Sequence, residues 1–533
     1  MNINIIFKNK NKILILVFIL WSAIAAYLVC HHAMWRDEVR NFMIGIGATS
    51  QIHLIGNPHP FLTYKIEQIF YWILGSYWAL PLSSLLISFF TVIIILFFSP
   101  FNIKTKSLML FGYPLLYEYT VMDRNYGISA LLLMLLAYFF SNKNYKYIYS
   151  GPILFLLANT NVHSALIVGV LSVLWPLNVW YTNGKKWNEE ARKAFINGFM
   201  GLSGFVVCLI TIYPIRYDLA PAHPLEIAPK HHLHFLKNLT FFECENYFSE
   251  FFGHKTLGKI IYITLQSVAY AFIMLSVFSL WGNTLLFSIS AIILVGFTLF
   301  FSVIYPGRYR HEALWIMLIF ALLWIKKNTD QKVIPSTLNK IGLVSFYGML
   351  SVQFILSIML AFHEVQTPNS RSKEFSTLIS QNEILKDSPV LSSLDYILEP
   401  IPYYTKKPVF MMTLNDFDFV VPYKTQLNYS LDDLLHAAQK LALCSKSPPL
   451  ILIVNDKNNN KTSTANIMDN EEENSIREYT YNYWIFTATS EQKKRFLGKT
   501  HKIARYPNGY LEEGFIVYEL NVDNTAKTSC SPG

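Results

Sequence analysis

Long apolar stretches alternate with short polar segments through the first 362 residues of the chain. A helix that crosses the hydrocarbon core of a bilayer needs about 20 residues, most of them apolar. The pattern therefore predicts a polytopic α-helical membrane protein with about eleven transmembrane helices, in a domain over residues 1–362. The predicted spans are Ile13–Val29, Tyr77–Phe98, Ser107–Val121, Tyr126–Phe140, Ile148–Asn159, Val162–Tyr181, Phe195–Tyr213, Ile260–Trp281, Leu285–Ile304, Leu314–Ile325 and Ile341–Phe362.

The pattern changes at residue 363. The apolar runs shorten to strand length, as in Leu450–Val454 and Phe515–Tyr518, and Leu431–Leu443 has the apolar spacing of a helix. Short apolar runs beside an amphipathic helix are typical of a mixed, water-soluble fold. Residues 363–533 are therefore predicted to form a C-terminal soluble α/β domain, with a loop over residues 455–473, which are rich in Asn and Glu.

Charge is scarce and unevenly placed. Hydrophobic residues make up 53% of the chain and charged residues only 15%, against about 25% charged in an ordinary soluble domain. The net charge of +9 comes from Lys and Arg that cluster in the short segments between apolar runs. Because such clusters set membrane topology, they indicate a lipid bilayer as partner and argue against nucleic acid.

The positions of these clusters predict an orientation. With the N-terminus in the cytoplasm, every second connection is basic, which is the usual bias of cytoplasmic loops. We therefore expect a multi-pass protein of the inner (plasma) membrane whose C-terminal domain is extracytoplasmic. The basic residues concerned are Lys104, Lys106, Lys143, Lys146, Lys185, Lys186, Arg192, Lys193, Lys326, Lys327, Lys332 and Lys340.

The same parity places three charged motifs on the outer face. The first, Trp35-Arg36-Asp37-Glu38, directly follows the first predicted helix. A carboxylate held over a membrane-surface cavity can accept a proton from an acceptor group. The same residues also fit the start of an interfacial helix, with Asp37 as cap and Trp35 as an aromatic anchor.

The second motif, Asp123-Arg124-Asn125-Tyr126-Gly127, interrupts a long apolar stretch that also contains Glu118. Ionisable residues at membrane depth are costly and usually mark a substrate path. A plain hairpin between two helices accounts for Asn125 and Gly127 equally well. It does not account for Glu118.

The third motif lies within residues 305–312 and contains Arg308, Arg310 and His311. Guanidinium groups match the geometry of phosphate oxygens. Arginines that reach to the interface from a helix end are the alternative. Two arginines in an outer loop are disfavoured by the usual charge bias, which favours a functional role.

Histidines also stand in the outer segments, at His59, His163 and in the run His231-His232-Leu233-His234. The run has no Asp, Glu or Cys at ligand spacing, so we assign no metal ligands. The five cysteines form no CxxC pair. Cys444 and Cys530 fit either a disulfide in an extracytoplasmic tail or two free thiols.

Taken together, the motifs resemble those of the GT-C superfamily of membrane glycosyltransferases, especially bacterial relatives of protein O-mannosyltransferases and aminoarabinose transferases. Such proteins carry an acidic motif like Trp35-Arg36-Asp37-Glu38 in the first outer loop, with a His-Pro element later in it, as in Asn57-Pro58-His59-Pro60. A motif like residues 123–127 and a late Arg-His pair like Arg310-His311 complete the order.

The resemblance implies inverting transfer of a sugar, hexosyl or pentosyl, from a polyprenyl-phosphate donor to a protein or glycolipid acceptor at the extracytoplasmic face. It implies that Asp37 is the base, while Glu38 and Asp123 position the acceptor or orient the site. The substrate contacts that it implies are Arg36, His59, Arg124, Tyr126, His163, Arg308, Arg310 and His311. Some relatives need a divalent cation and others do not, so no cofactor is assigned, and a divalent cation at the two carboxylates stays open.

Two other functions fit part of the pattern. A transporter or flippase also has many spans and intramembrane charge, but it predicts inverted repeats, which the sequence does not show. An acyltransferase acting on lipid-linked glycans would use a buried histidine as base, a role that His163 could fill.

Overall fold

The computed structural model describes residues 12–49, 59–142, 144–212, 236–240, 255–304, 307–329, 336–422, 427–455, 467–468, 477–481 and 484–521. Within these ranges the chain forms a bundle of apolar helices followed by a domain of helices and short strands. The helices are α1 (Lys12–His31), α2 (Arg36–Gly45), α3 (Phe61–Leu74), α4 (Ala79–Phe98), α5 (Ile103–Leu110), α6 (Tyr126–Phe140), α7 (Lys146–Ala158), α8 (Val162–Thr182), α9 (Glu189–Ile212), α10 (Lys255–Leu275), α11 (Thr284–Val303), α12 (Tyr309–Glu312), α13 (Leu314–Thr329), α14 (Thr337–Gln366), α15 (Ser372–Gln381), α16 (Ile401–Thr405), α17 (Leu431–Cys444) and α18 (Ser490–Lys499).

Among the described residues, seven helices are long and apolar enough to cross a membrane: α1, α4, α8, α9, α10 with the 3₁₀ turn that follows it, α11 and α14. Each coincides with a span predicted from the sequence. Many of their large apolar side chains face outwards, as Ile210 and Val344 do at 60% and 65% exposure. In water such a surface would be costly, but a bilayer solvates it. The chain is therefore a multi-pass α-helical membrane protein.

The remaining predicted spans are shorter. Helices α6 and α7 have 15 and 13 residues, and α13 has 16 residues, of which all from Leu314 to Lys326 are buried. A helix that is apolar on every side lies either inside a protein or in lipid, and the burial of α13 by the rest of the chain shows the former. The α13 helix is thus surrounded by the other helices and has little contact with lipid.

The predicted span Ser107–Val121 is not one helix. Helix α5 ends at Leu110, and a π-helical turn, Pro114–Glu118, precedes the loop that contains Asp123. Pro114 has no N–H to continue the helical ladder, and π-helical turns occur often at functional sites. The break carries the chain into the loop that contains the second motif.

The C-terminal domain has an α/β fold. Its strands are β1 (Val390–Ser392), β2 (Val409–Met411), β3 (Asp416–Asp418), β4 (Leu427–Ser430), β5 (Leu450–Val454), β6 (Arg477–Tyr481), β7 (Trp484–Ala488), β8 (Thr500–Tyr506) and β9 (Phe515–Leu520). The main sheet has the order β1-β5-β9-β8, with β1 and β5 parallel and the other pairs antiparallel. Strand β5 is fully buried, as the central strand of a sheet covered on both faces should be.

This domain packs directly against α2, the helix that begins with the first motif. Arg40 of α2 forms a buried ion pair with Glu399, with 2.6 Å between Nη1 and Oε1, and donates to the Val421 carbonyl. The backbone N–H of Met34 donates to the Tyr404 hydroxyl at 2.7 Å. The C-terminal domain therefore holds the first motif in place.

We predict that Glu399→Met destabilises this contact strongly. The substitution leaves the Arg40 guanidinium buried without its carboxylate, and arginine cannot lose its proton. Stranding one member of a buried pair costs about 3–5 kcal/mol, so the purified protein should unfold at a lower temperature. Asp432→Asn, which breaks the exposed pair of Asp432 with Arg495, is the control and should have little effect. Equal unfolding temperatures for Glu399→Met and the wild type would show that the buried pair of Arg40 and Glu399 does not stabilise the fold.

Candidate active site

Three arginines from separate parts of the chain surround the carboxylate of Asp37. Arg124 Nη1 lies 3.0 Å and Arg310 Nη2 3.3 Å from Asp37 Oδ2, and Arg36 Nε lies 3.7 Å from Oδ1. The structure thus brings together the first, second and third motifs of the sequence. The Asp37 side chain keeps 26% exposure, so a ligand can reach it.

The Trp35 ring forms the base of this cluster. The guanidinium carbons of Arg36, Arg124 and Arg310 lie 5.9, 5.9 and 5.7 Å from the ring centroid, within the range of a cation–π interaction. Arg36 also lies 5.1 Å from the ring of Tyr396, which belongs to the C-terminal domain. The indole surface therefore holds three like charges close together.

The cluster changes the acidity of Asp37. Burial by itself would raise the pKa of this carboxyl, but the guanidinium groups of Arg124, Arg310 and Arg36 outweigh burial and hold the pKa well below its usual range. Asp37 is therefore ionised. Three guanidinium groups gathered at one carboxylate form a cationic cluster of the kind that suits an anionic ligand.

Local helix chemistry fixes the position of Asp37. Trp35 precedes the first turn of α2, and its N–H donates to Glu38 Oε2 at 2.9 Å. A carboxylate at this third helical position commonly caps a helix in this way. Glu38 Oε1 accepts from the Asp123 N–H at 2.8 Å. Glu38 thus turns inwards and joins the first two motifs, while Asp37 faces the arginines.

A buried network extends from Glu38 to the last membrane helix. His32 Nε2 lies 3.0 Å from Glu38 Oε2, and His32 Nδ1 lies 2.9 Å from Glu364 Oε1. The Tyr117 hydroxyl donates to Glu364 and accepts from Asn369 Nδ2 at 3.1 Å. The network joins α1, the π-helical turn, α14 and the start of the C-terminal domain around the site.

The predicted histidines His59, His163 and His311 lie beside Asn125 and Tyr126 of the second motif. The His163 and His311 rings stack at 4.6 Å, and the Tyr126 ring lies 5.4 Å from that of His311. His59 Nδ1 lies 3.5 Å from Asn125 Nδ2. Burial, together with the nearby charge of Arg124, lowers the pKa of His59 to about 3. These rings are therefore poor sites for extra positive charge, and His59 is neutral.

His163 has a further property. Both of its ring nitrogens are buried and make no hydrogen bond within the described part of the chain. The side chain lies among Phe297, Phe300 and Phe301 of α11. This side of the site is therefore apolar and aromatic, in contrast to the arginine cluster beside it.

The second motif is held by close packing. Asp123 and Arg124 are buried at 2% and 8% exposure. A side chain at position 127 would place its Cβ 2.7 Å from the Tyr119 carbonyl oxygen. The first turn of α6 can therefore lie this close to the backbone of Tyr119 only because residue 127 is glycine. The close approach brings Arg124 to Asp37.

Other predicted residues lie further from Asp37. Arg308 is exposed at the N-terminus of α12, where its N–H donates to His311 Nδ1 at 2.9 Å. Glu118 is buried and accepts from the Tyr113 hydroxyl at 3.1 Å. Residues 57–58, 231–234 and 305–306 and Cys530 lie outside the described residues, whereas Cys444 is disulfide-bonded.

The sequence reasoning missed several residues of the site region. His32 is the buried partner of Glu38, Glu364 is the buried partner of His32, and Glu67 of α3 is buried beside Asp123 and Arg124. One signal was available for Glu67: it follows Thr63 and Tyr64 at helical spacing on the buried face of α3. His32 and Glu364 are 332 residues apart, and no short motif reveals such a pair.

No group of three or more His, Cys, Asp or Glu side chains with the geometry of a metal site occurs among the residues that the structure describes. The cations that face Asp37 are the guanidinium groups of Arg36, Arg124 and Arg310.

Fold and site together define a multi-pass α-helical membrane protein with a cationic site at one end of its bundle, closed by an α/β domain. No protein-family model and no curated protein matches the chain. It is similar to the crystal structure of ArnT from Cupriavidus metallidurans in the apo state, at 12% identity and a TM-score of 0.47 over 95% of this chain and 97% of that chain. It is also similar to the ArnT structure bound to undecaprenyl phosphate, at 12% identity and a TM-score of 0.46 over 96% and 99%. ArnT is an aminoarabinose transferase of the GT-C class, which the motifs of this sequence resemble.

The network around Glu38 predicts a pH dependence of stability. Burial lowers the pKa of His32, but Glu38 and Glu364 outweigh burial and raise it well above the ordinary value of 6.5. A raised histidine pKa stabilises the fold fully below the unfolded value, and this contribution is lost as the pH rises through the folded value. We therefore expect the unfolding temperature to fall above pH 6.5, and His32→Gln to remove much of that fall.

His501→Gln is the matched control, because His501 is exposed and pairs with Glu519 at 3.5 Å on the surface of the C-terminal domain. Thermal unfolding of the purified protein across this pH range measures the effect. If the unfolding temperatures of the wild type and His32→Gln changed with pH in the same way, the buried imidazolium would not stabilise the fold.

Proposed function

We propose that this protein is an integral membrane glycosyltransferase that moves a sugar from a polyprenyl-phosphate donor to an acceptor. The observation that carries the proposal is the convergence of Arg36, Arg124 and Arg310 on Asp37 at one end of a membrane bundle. Arginines suit the donor phosphate, and an ionised carboxylate among them suits proton transfer.

The proposed reaction is a single inverting displacement. The acceptor oxygen forms a bond to the anomeric carbon of the sugar, and its proton passes to Asp37. The bond between that carbon and the phosphate oxygen breaks, and its electron pair leaves with the polyprenyl phosphate. Arg310 and Arg124 stabilise the negative charge that develops on this leaving group.

Donor binding changes the role of Asp37. Without a ligand, Asp37 forms ion pairs with Arg124 and Arg310. These pairs stabilise the ionised carboxylate, so Asp37 is a weak base. A phosphate that binds the same two guanidinium groups competes with the carboxylate for them. The basicity of Asp37 then rises only when the donor is present, which limits wasteful hydrolysis of other molecules.

The polarity of the site supports one direction for the donor. The aromatic side, with His163, Phe300 and Phe301, adjoins the end of α11, where Val303 and Ile304 are exposed at 44% and 61%. Isoprene units would favour this apolar side, where they remain in contact with the bilayer. The phosphate then reaches Arg310 and Arg124, while Arg308, exposed at the start of α12, stays a predicted contact.

We infer further that the site faces the extracytoplasmic side of the plasma membrane, with the N-terminus in the cytoplasm. The positive-inside pattern of the loops supports this orientation. Cys444 of the C-terminal domain is disulfide-bonded, and disulfides persist in oxidising compartments outside the cytoplasm. A protein or glycolipid acceptor would be met on that face.

We predict that Asp37→Asn abolishes transfer without preventing donor binding. Loss of a general base lowers the rate by about 10²- to 10⁴-fold. Removal of a negative charge from among three arginines should leave the affinity for undecaprenyl phosphate, the lipid bound in one ArnT structure, equal or higher. Transfer of radiolabelled sugar from a panel of polyprenyl-phosphate sugars to membrane acceptors and titration with undecaprenyl phosphate measure the two effects.

Asp432→Asn, at an exposed surface pair, is the control and should keep wild-type transfer. Wild-type turnover in Asp37→Asn would remove Asp37 as the base. Failure of well-inserted wild-type protein to bind the lipid phosphate or transfer any sugar would contradict the proposed class.

A further inference from the structure

The third motif lies on a helical turn that is too short to be stable by itself. Helix α12 spans only Tyr309–Glu312, and an isolated helix of this length does not form in water. Arg310, whose Nη2 lies 3.3 Å from Asp37 Oδ2, belongs to this turn. The position of its guanidinium group therefore depends on the contacts that fix the residues on either side of it.

Glu312 fixes the end of the turn. It is 2% exposed, and its Oε2 accepts from the backbone N–H of Asn238 at 2.9 Å. Its Oε1 accepts from Asn238 Nδ2 at 2.6 Å, and the same amide nitrogen donates to the Gly307 carbonyl at 2.9 Å. Both carboxyl oxygens thus bind one residue of the segment 236–240, which is 74 residues away along the chain.

Gln353 of α14 holds both this segment and the start of the turn. Its side chain is 1% exposed, its Nε2 donates to the Leu239 carbonyl at 2.7 Å, and its Oε1 accepts from the Tyr309 hydroxyl. Leu236 and Leu239 are fully buried. Because α14 is one of the helices long enough to cross the membrane, the segment and the turn are both tied to the bundle.

These bonds form a closed ring around the turn. Its members are Gln353, Tyr309, Glu312, Asn238 and Leu239. Arg310 stands between the two residues of α12 that belong to the ring, and its own carbonyl accepts from the Tyr119 hydroxyl at 3.0 Å. Hydrogen bonds joined in a network support one another, so the ring limits the positions that the Arg310 backbone can take.

We propose that Glu312 is a positioning residue, which acts with Asn238 to hold Arg310 at the place of the donor phosphate; this inference rests on the proposed function. Two N–H groups of Asn238 point at Glu312, and a carboxylate can accept at both oxygens. Glutamine has one oxygen to accept with, and its NH₂ group would face an N–H donor. Glu312→Gln therefore opens the ring with almost no change in side-chain size.

The sign of the effect separates positioning from charge. Burial raises the pKa of Glu312 to about 8, so the carboxyl group is ionised at about pH 9. If Glu312 acted only through its negative charge, its removal at that pH would strengthen binding of an anionic lipid. Loss of the ring should instead weaken binding, because Arg310 is then less well placed.

The test measures binding of undecaprenyl phosphate at about pH 9 to full-length protein in lipid nanodiscs. Glu312→Gln should weaken binding about tenfold, the usual effect of losing one hydrogen bond to a charged group. Glu383→Gln is the matched control, because Glu383 is exposed and pairs with Lys386 on the C-terminal domain. It should bind the lipid as the wild type does.

A second variant and a double-mutant cycle complete the test. Asn238→Ala removes the side-chain donor from the other side of the ring and should also weaken binding. Arg310→Lys keeps the charge but loses the planar guanidinium group, so it weakens binding by itself. Adding Glu312→Gln to Arg310→Lys should then weaken binding little further, because both changes act on one contact. In transfer assays Glu312→Gln should raise the KM for the donor and not the KM for the acceptor.

Several results would overturn the inference. These are unchanged or tighter binding in Glu312→Gln or in Asn238→Ala, a full additional loss of binding in the Arg310→Lys background, and an equal rise in the KM values for donor and acceptor. The last two would indicate that Glu312 has a general structural role only. If the wild type itself does not bind undecaprenyl phosphate, the proposed function fails, which is a different outcome from wild-type binding that Glu312→Gln leaves unaltered.

Discussion

The buried carboxylate of Glu38 is the constraint on which the site depends. It accepts hydrogen bonds from the backbone of the first and second motifs and pairs with His32, which in turn binds Glu364 of the last membrane helix. A buried carboxylate is tolerated only where its oxygens are satisfied. Because Glu38 turns inwards to meet these partners, its neighbour Asp37 is directed towards the arginines.

The chemistry of the site follows from this arrangement. Three guanidinium groups collect over one indole ring, and Asp37 lies within ion-pair distance of all three. On one side lie aromatic rings that suit a lipid. An apolar surface beside a cationic cluster suits a molecule built as a lipid joined to a phosphate.

The sequence predicted the fold class and much of this site, because membrane helices and charged motifs are local signals. Asp37, Arg124 and Arg310 were found in their motifs, and the structure brings them together. The break at Pro114 and the buried position of α13 were missed, because the sequence of a short apolar run does not show whether the run contacts lipid or protein. Glu67 was missed for a related reason: the residues that cover it come partly from α4 and α6, and one amphipathic helix does not show what covers its buried face.

The most direct test of this account is an experimental structure with a polyprenyl-phosphate sugar bound. The account predicts the phosphate between Arg124 and Arg310, the lipid leaving along α11, and Asp37 separated from at least one of the two arginines that it now contacts. A donor phosphate bound elsewhere, with both of these ion pairs intact, would contradict the central claim that the arginine cluster exists to hold the leaving group.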